Sequence, residues 1–167
     1  MTAKEGTGDM TTAYGEVHHV GLTVKDIDRS LAFYEKMFGV TPLFVNSASG
    51  DELSTSLGVP DAKLRFAFLQ FGDGVVELLS YDNPRKESFT RRNCDVGSAH
   101  VCIHVDDIRS AYEELKEKDA EFFSEPLRID GGPLDGCSFV YLRDPDGITL
   151  ELFETAKKSP AGENHVA

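Results

Sequence analysis

Apolar and polar residues alternate with a period of two in two short segments of the chain. In the first, Val20, Leu22 and Val24 fall on one face and His19, Gly21 and Thr23 on the other. In the second, Val101, Ile103 and Val105 oppose His100, Cys102 and His104. Such alternation predicts a half-buried strand. The period then lengthens to three and four. Ile27, Leu31, Tyr34 and Phe38 predict a helix with Asp26 as its N-cap and Gly39 as its stop. Ile108, Ala111, Tyr112 and Leu115 predict a second helix over 107–118.

The two segments are copies of each other. His19-Val20-Gly21-Leu22-Thr23-Val24-Lys25-Asp26-Ile27 resembles His100-Val101-Cys102-Ile103-His104-Val105-Asp106-Asp107-Ile108 at an offset of 81 residues. Two copies of that size predict a duplicated half-domain and not a solenoid. Strands are expected after each helix, at 42–46, 63–71 and 75–81 in the first copy, with a short helix or loop at 51–57. In the second copy they are expected at 121–123, 137–143 and 148–153. The turns Gly72-Asp73-Gly74 and Asp144-Pro145-Asp146-Gly147 separate the last two strands of each copy. Each half therefore reads β-α-β-β-β, an α+β arrangement. A flexible lead-in is expected over 1–13, the modules over 14–81 and 98–154, a linker over 82–97 and a frayed tail over 155–167.

Composition narrows the function. The chain has 167 residues, about one domain. Its net charge of −12 repels phosphate backbones and anionic lipid, so no nucleic-acid or membrane partner is expected. Cys94, Cys102 and Cys137 are odd in number and lack C-x-x-C spacing, against a disulfide framework or a thiolate zinc knuckle. The N-terminal residues carry no apolar stretch of signal-peptide type, and a cytoplasmic location is expected.

The last strand of each half holds a glutamate in an apolar run, Glu77 in Val75-Val76-Glu77-Leu78-Leu79 and Glu151 in Ile148-Thr149-Leu150-Glu151-Leu152-Phe153. A buried carboxylate without a partner costs several kcal/mol, so each must be exposed on an edge, paired or bound to a metal. Each half also supplies a histidine at its first strand. A pseudo-two-fold axis would gather His19, Glu77, His100 and Glu151 at one cavity. Two imidazoles and two carboxylates suit a divalent ion such as Zn, Ni, Co, Mn or Fe(II), with positions left for water or substrate.

At this point the sequence resembles the vicinal oxygen chelate superfamily, also called the glyoxalase/bleomycin-resistance/dioxygenase superfamily. The resemblance is carried by His18-His19-Val20-Gly21-Leu22-Thr23-Val24-Lys25-Asp26, Ser30-Leu31-Ala32-Phe33-Tyr34-Glu35-Lys36-Met37-Phe38-Gly39, Ala99-His100-Val101 and Asp144-Pro145-Asp146-Gly147-Ile148-Thr149-Leu150-Glu151-Leu152. It implies two paired βαβββ modules whose sheets curl around a metal cavity. The family's metal ligands fall on His19, Glu77, His100 and Glu151, and His18 falls on the opposite face as a packing residue. The ligand pattern is similar to that of glyoxalase I, a lactoylglutathione lyase. The resemblance implies a lyase or isomerase acting on a small carbonyl substrate through an enediolate, with Glu151 as metal-bound base, Glu77 beside it and glutathione as a possible cosubstrate.

The family offers other activities. The glyoxalase I arginine on the first strand falls here on Thr23, and its asparagine four residues after the second ligand falls on Tyr81. Methylmalonyl-CoA epimerase is the near neighbour, but the place of its second base holds Ser56. An extradiol dioxygenase would need only His19, His100 and Glu151, and Glu77 would then occupy a position its substrates require. A non-catalytic binding module is a further alternative. Arg85, Lys86, Arg91 and Arg92 are either a solvated linker or an anion clamp near the cavity. His104 and Tyr141 are further candidates for substrate binding. An open sheet edge in each module, together with the arrangement of glyoxalase I relatives, implies a homodimer.

Overall fold

In a computed structural model that describes residues 15–87 and 92–157, the first copy folds as β1 (Val20–Thr23), α1 (Ile27–Phe38), β2 (Pro42–Ser49), α2 (Asp51–Leu57), β3 (Lys63–Phe71) and β4 (Gly74–Asn83). The second folds as β5 (His100–His104), α3 (Ile108–Glu117), β6 (Glu121–Phe122), β7 (Leu127–Arg128), β8 (Ser138–Arg143) and β9 (Thr149–Glu154). The lead-in expected over 1–13, Arg91 and most of the expected C-terminal tail lie outside the described residues.

Each module makes its own mixed sheet. The first has the order β1-β4-β3-β2, and the second has β5-β9-β8-β6, with β7 also paired to β8. In both, the opening strand runs parallel to the last one, and the other pairings are antiparallel. The last strand of each copy is therefore an inner strand, with the opening strand at its outer edge. Strand β7 was not signalled by any alternation, because two residues are too few to show one. Conversely, β2 runs three residues past the expected end.

The helix signals act as the sequence predicts. The Asp26 carboxylate accepts hydrogen bonds from the N–H groups of Asp28 and Arg29 at 3.0 and 3.1 Å. Gly39 closes α1 at φ 68°, a conformation that costs a residue with a Cβ. The buried stripe of α1 is Ile27, Ser30, Tyr34 and Met37, with Leu31 and Phe38 at its margin. The stripe thus sits one position off the expected one, and a serine lies at its centre. In α3, Ile108, Tyr112 and Leu115 are buried as expected.

One apolar core joins the modules. Val24, Ile27, Tyr34, Leu69 and Leu78 from the first pack in the same cluster as Ile108, Leu115, Val140, Leu150 and Leu152 from the second. Polar ties cross the seam. The Asp146 carboxylate accepts from the Lys25 N–H at 2.8 Å and from the Arg29 guanidinium. The Lys118 ammonium donates to the Met37 carbonyl at 3.0 Å. The linker is tied to both sides. Lys86 donates to the Lys25 carbonyl at 2.6 Å and to Ser80 Oγ at 2.8 Å, and Thr149 Oγ1 donates to Asn93 Oδ1 at 2.7 Å.

Candidate active site

Register decides which side chains share a face. In the first sheet Gly21 stands beside Glu77 on β4, and Glu77 stands beside Phe68 on β3. In the second, Cys102 stands beside Glu151 on β9, and Glu151 stands beside Tyr141 on β8. Both carboxylates therefore sit on inner strands, on the face away from the helices. The edge-strand alternative is excluded, and each needs a polar partner.

The histidines supply it. His19 Nε2 lies 3.2 Å from Glu77 Oε2, and His100 Nε2 lies 2.9 Å from Glu151 Oε2. Glu151 is buried, with 8% of its surface exposed, whereas both imidazoles are substantially open to solvent. An imidazole nitrogen and a carboxylate oxygen facing each other form half of a divalent-ion coordination set. Among the described residues, however, no three His, Cys, Asp or Glu groups converge on one point. The four residues stand as two pairs. His19 and His100 both line one cleft of about 820 Å³ between the modules, together with Phe38, Phe71 and β5.

The surroundings of the two pairs differ. His19 has an aromatic setting, with the Phe68 ring 5.3 Å away and Phe44 and Phe66 next to Phe68. His100 has the Tyr141 ring at 5.3 Å, edge to face. Cys102 stands beside Glu151 in register, and partial burial followed by that carboxylate's negative charge pushes its thiol up to about 11. Tyr141 is raised by the same two causes.

His18 departs from its expected packing role. Its ring is exposed, and its Nδ1 lies 2.8 Å from His19 Nδ1. Because β1 starts only at Val20, strand alternation does not govern residues 18 and 19, and both rings reach Phe68. His18 is thus placed to fix the tautomer of His19. Nothing in the strand pattern pointed to that role. For Cys102 there was a signal, since it shares a face with His100 and His104.

The remaining candidates scatter. His104 lines the cleft at the far end of β5, with Nε2 3.3 Å from Thr155 Oγ1. Arg92 is paired with Asp95 at 2.6 Å, Lys86 is spent on backbone and Ser80, and Arg85 is exposed. The basic run therefore forms no clamp among the described residues.

Comparison with known proteins agrees with this architecture. A 2-epi-5-epi-valiolone epimerase from Actinomyces sp is 34% identical over 149 residues, covering 86% of this chain and 81% of that protein. Human mitochondrial methylmalonyl-CoA epimerase is 29% identical, covering 83% and 73%. A probable lactoylglutathione lyase of Vibrio parahaemolyticus is 29% identical, covering 89% and 96%. The crystal structure of a glyoxalase family protein from Bacillus cereus superposes with a TM-score of 0.77 at 19% identity, covering 89% of this chain and 99% of that one. The sequence profile of the Glyoxalase/Bleomycin resistance protein/Dioxygenase superfamily matches residues 16–152, and the chain belongs to that superfamily.

Proposed function

We propose that the chain is a metal-dependent isomerase or lyase that moves a proton on the carbon beside a carbonyl of a small substrate. The observation that carries this reading is the pair of equivalent His–Glu couples, His19–Glu77 and His100–Glu151, each on the open face of its sheet. Their donor set fits a divalent ion such as Zn, Ni, Co, Mn or Fe(II), which these four residues would hold. When bound, the ion supplies Lewis-acid polarisation of the substrate carbonyl.

The side chains then divide the proton work. Glu151 removes the proton next to the carbonyl as a general base; in a lyase reaction it also returns that proton, whereas in epimerisation a proton is delivered from the opposite face. Glu77, related to it by the internal repeat, serves the opposite face. Epimerisation needs a group on each face, whereas a lyase reaction of the lactoylglutathione type needs one carboxylate and a thiol cosubstrate such as glutathione. The relatives include both classes, and we place epimerisation first on the 34% identity to an epimerase. His104 lines the cleft and Tyr141 stands beside His100, offering polar groups to the substrate, and the Phe44, Phe66 and Phe68 rings beside His19 offer an apolar surface.

We place the complete site between two copies of the chain. The four ligands stand as two couples here, and Leu43, Phe44 and Val45 of the edge strand β2 are exposed, as an apolar edge awaiting a partner would be.

The test is isotope exchange. The metal-loaded protein is incubated in D₂O with the glutathione hemithioacetal of methylglyoxal, an acyl-CoA with an α stereocentre, and a cyclic polyol ketone. Deuterium next to the carbonyl of one of them, lost in Glu151→Gln, is the expected result. Oxygen uptake with a catechol, without exchange in any of the three, would overturn the reading in favour of a dioxygenase.

A further inference from the structure

Three side-chain oxygens of the described residues are buried and bonded to no protein group: Ser30 Oγ, Tyr34 Oη and Asp144 Oδ2. Their residues are enclosed almost completely, at 0%, 1% and 4% exposure. Ser30 and Tyr34 both lie on the buried stripe of α1, four positions apart. A helical side chain leans back toward the N-terminus, so the Tyr34 ring lies over the turn that holds Ser30. Asp144 opens the turn between β8 and β9 in the other module. That turn is pinned to the start of α1, because the Asp146 carboxylate accepts from the Lys25 N–H and from the guanidinium of Arg29, the residue next to Ser30. Asp144 Oδ1 accepts from the N–H groups of Asp146 and Ile148 at 2.8 Å each, which fixes the carboxyl and leaves Oδ2 over.

We infer that the seam between the modules binds one buried water, which joins Ser30 Oγ and Tyr34 Oη of the first module to Asp144 Oδ2 of the second. Folded proteins hold about one such water per 27 residues, commonly with about three hydrogen bonds to buried groups that lack another partner. None of the three oxygens bonds another directly. Polar groups set apart in this way are joined through water at little cost. One molecule satisfies all three. An ionised carboxylate only accepts, and takes one hydrogen of the water. Each hydroxyl donates, and the water oxygen has two lone pairs to receive them. A calcium or magnesium ion fits less well, since it takes about six or more oxygen ligands, about twice what the seam offers. The water would stitch the first helix of one half to the last turn of the other.

The test is a crystal structure of the full chain at a resolution that orders internal water, together with oxygen-17 relaxation dispersion in solution, which counts long-lived buried waters. A density peak at about 2.5–3.0 Å from all three oxygens is expected. The double variant Ser30→Ala, Tyr34→Phe should lose the dispersion amplitude of one water. A direct bond between Tyr34 Oη and Asp144 Oδ2, with no peak between them, would overturn the inference. So would a peak with about six oxygen neighbours that disappears when the crystals are soaked in chelator, which would assign the place to a cation. An unchanged dispersion amplitude in a double variant that keeps the near-ultraviolet circular dichroism of the wild type would overturn it as well. Should the double variant not fold, the density in the wild-type chain decides.

Discussion

The Tyr34 hydroxyl is buried within the electrostatic reach of the Asp144 carboxylate, and neither it nor Asp144 Oδ2 has a hydrogen-bond partner among the described residues. The two belong to different modules, Tyr34 to α1 and Asp144 to the turn between β8 and β9. Asp144 Oδ1 is fully used, accepting from the N–H groups of Asp146 and Ile148 at 2.8 Å each. Ser30 Oγ, one helical turn before Tyr34, is also buried and unpartnered.

Burial raises Asp144 from 3.8 to about 6, against the lowering effect of its backbone donors, and it raises Tyr34 as well. Between about pH 4 and pH 6 the folded protein thus holds a proton on Asp144 that the unfolded chain has already released. Asp144 contributes least to stability above about pH 6, and its contribution grows as the pH falls toward 4. Asp144→Asn keeps an acceptor at Oδ1 and replaces the unpartnered oxygen with a donor. It should raise the unfolding free energy at pH 7.5 by up to about 3 kcal/mol, the equivalent of that difference, and by far less at pH 4. Urea unfolding at the two pH values measures this, and an asparagine variant less stable than wild type at pH 7.5 would contradict it.

The tie next to it should matter for how the modules dock. Asp146→Ala removes the acceptor for the Lys25 N–H and the Arg29 guanidinium. A loss of about 1–2 kcal/mol is expected for a hydrogen-bonded charged group at a seam. The urea midpoint should fall without a change in slope. An unchanged midpoint would mean that the core alone holds the modules together.

For the candidate ligands, His100→Ala and Glu151→Gln should each reduce Zn(II) or Mn(II) affinity by two orders of magnitude or more, at about 3 kcal/mol per lost ligand. His18→Ala should cost less, about tenfold, through the freed ring of His19. Calorimetric titration distinguishes the two classes. Equal losses at positions 18 and 100 would make His18 itself a ligand.

Sharing of the site between copies can be read from mixed variants. If each cavity takes His19 and Glu77 from one chain and His100 and Glu151 from the other, refolding His19→Ala together with His100→Ala creates one intact cavity per heterodimer. Metal-dependent exchange activity should then return in part. No recovery from a mixture that light scattering shows to be dimeric would place each complete site within one chain.

The helices and the repeat were legible because their signals are local. Asp26, Gly39 and the three- and four-residue spacing need only neighbouring chain to act. The glutamates were legible as oddities, charges inside apolar strands, and the strand order explains why such charges require partners. What escaped the sequence depends on contacts between distant segments. His18 lies just outside the strand whose alternation was used to place it. The buried stripe of α1 runs through Ser30 and Met37 in place of Leu31 and Phe38, a rotation of the helix that its own periodicity does not fix. The basic run read as a possible clamp because sequence shows charge but not the Asp95 carboxylate and the Lys25 carbonyl that engage it.

Lys25 itself shows how much of this assembly is written in main chain. Its N–H is taken by Asp146 from the second module, and its carbonyl by Lys86 from the linker. A single residue thereby ties three stretches of chain, and neither bond involves its own side chain. Position 25 can drift among relatives to any residue that keeps an amide hydrogen, while proline alone would undo the tie to Asp146. A substitution survey judged by side-chain chemistry would score this junction as unimportant, although its peptide groups help to hold the two halves of the protein in place.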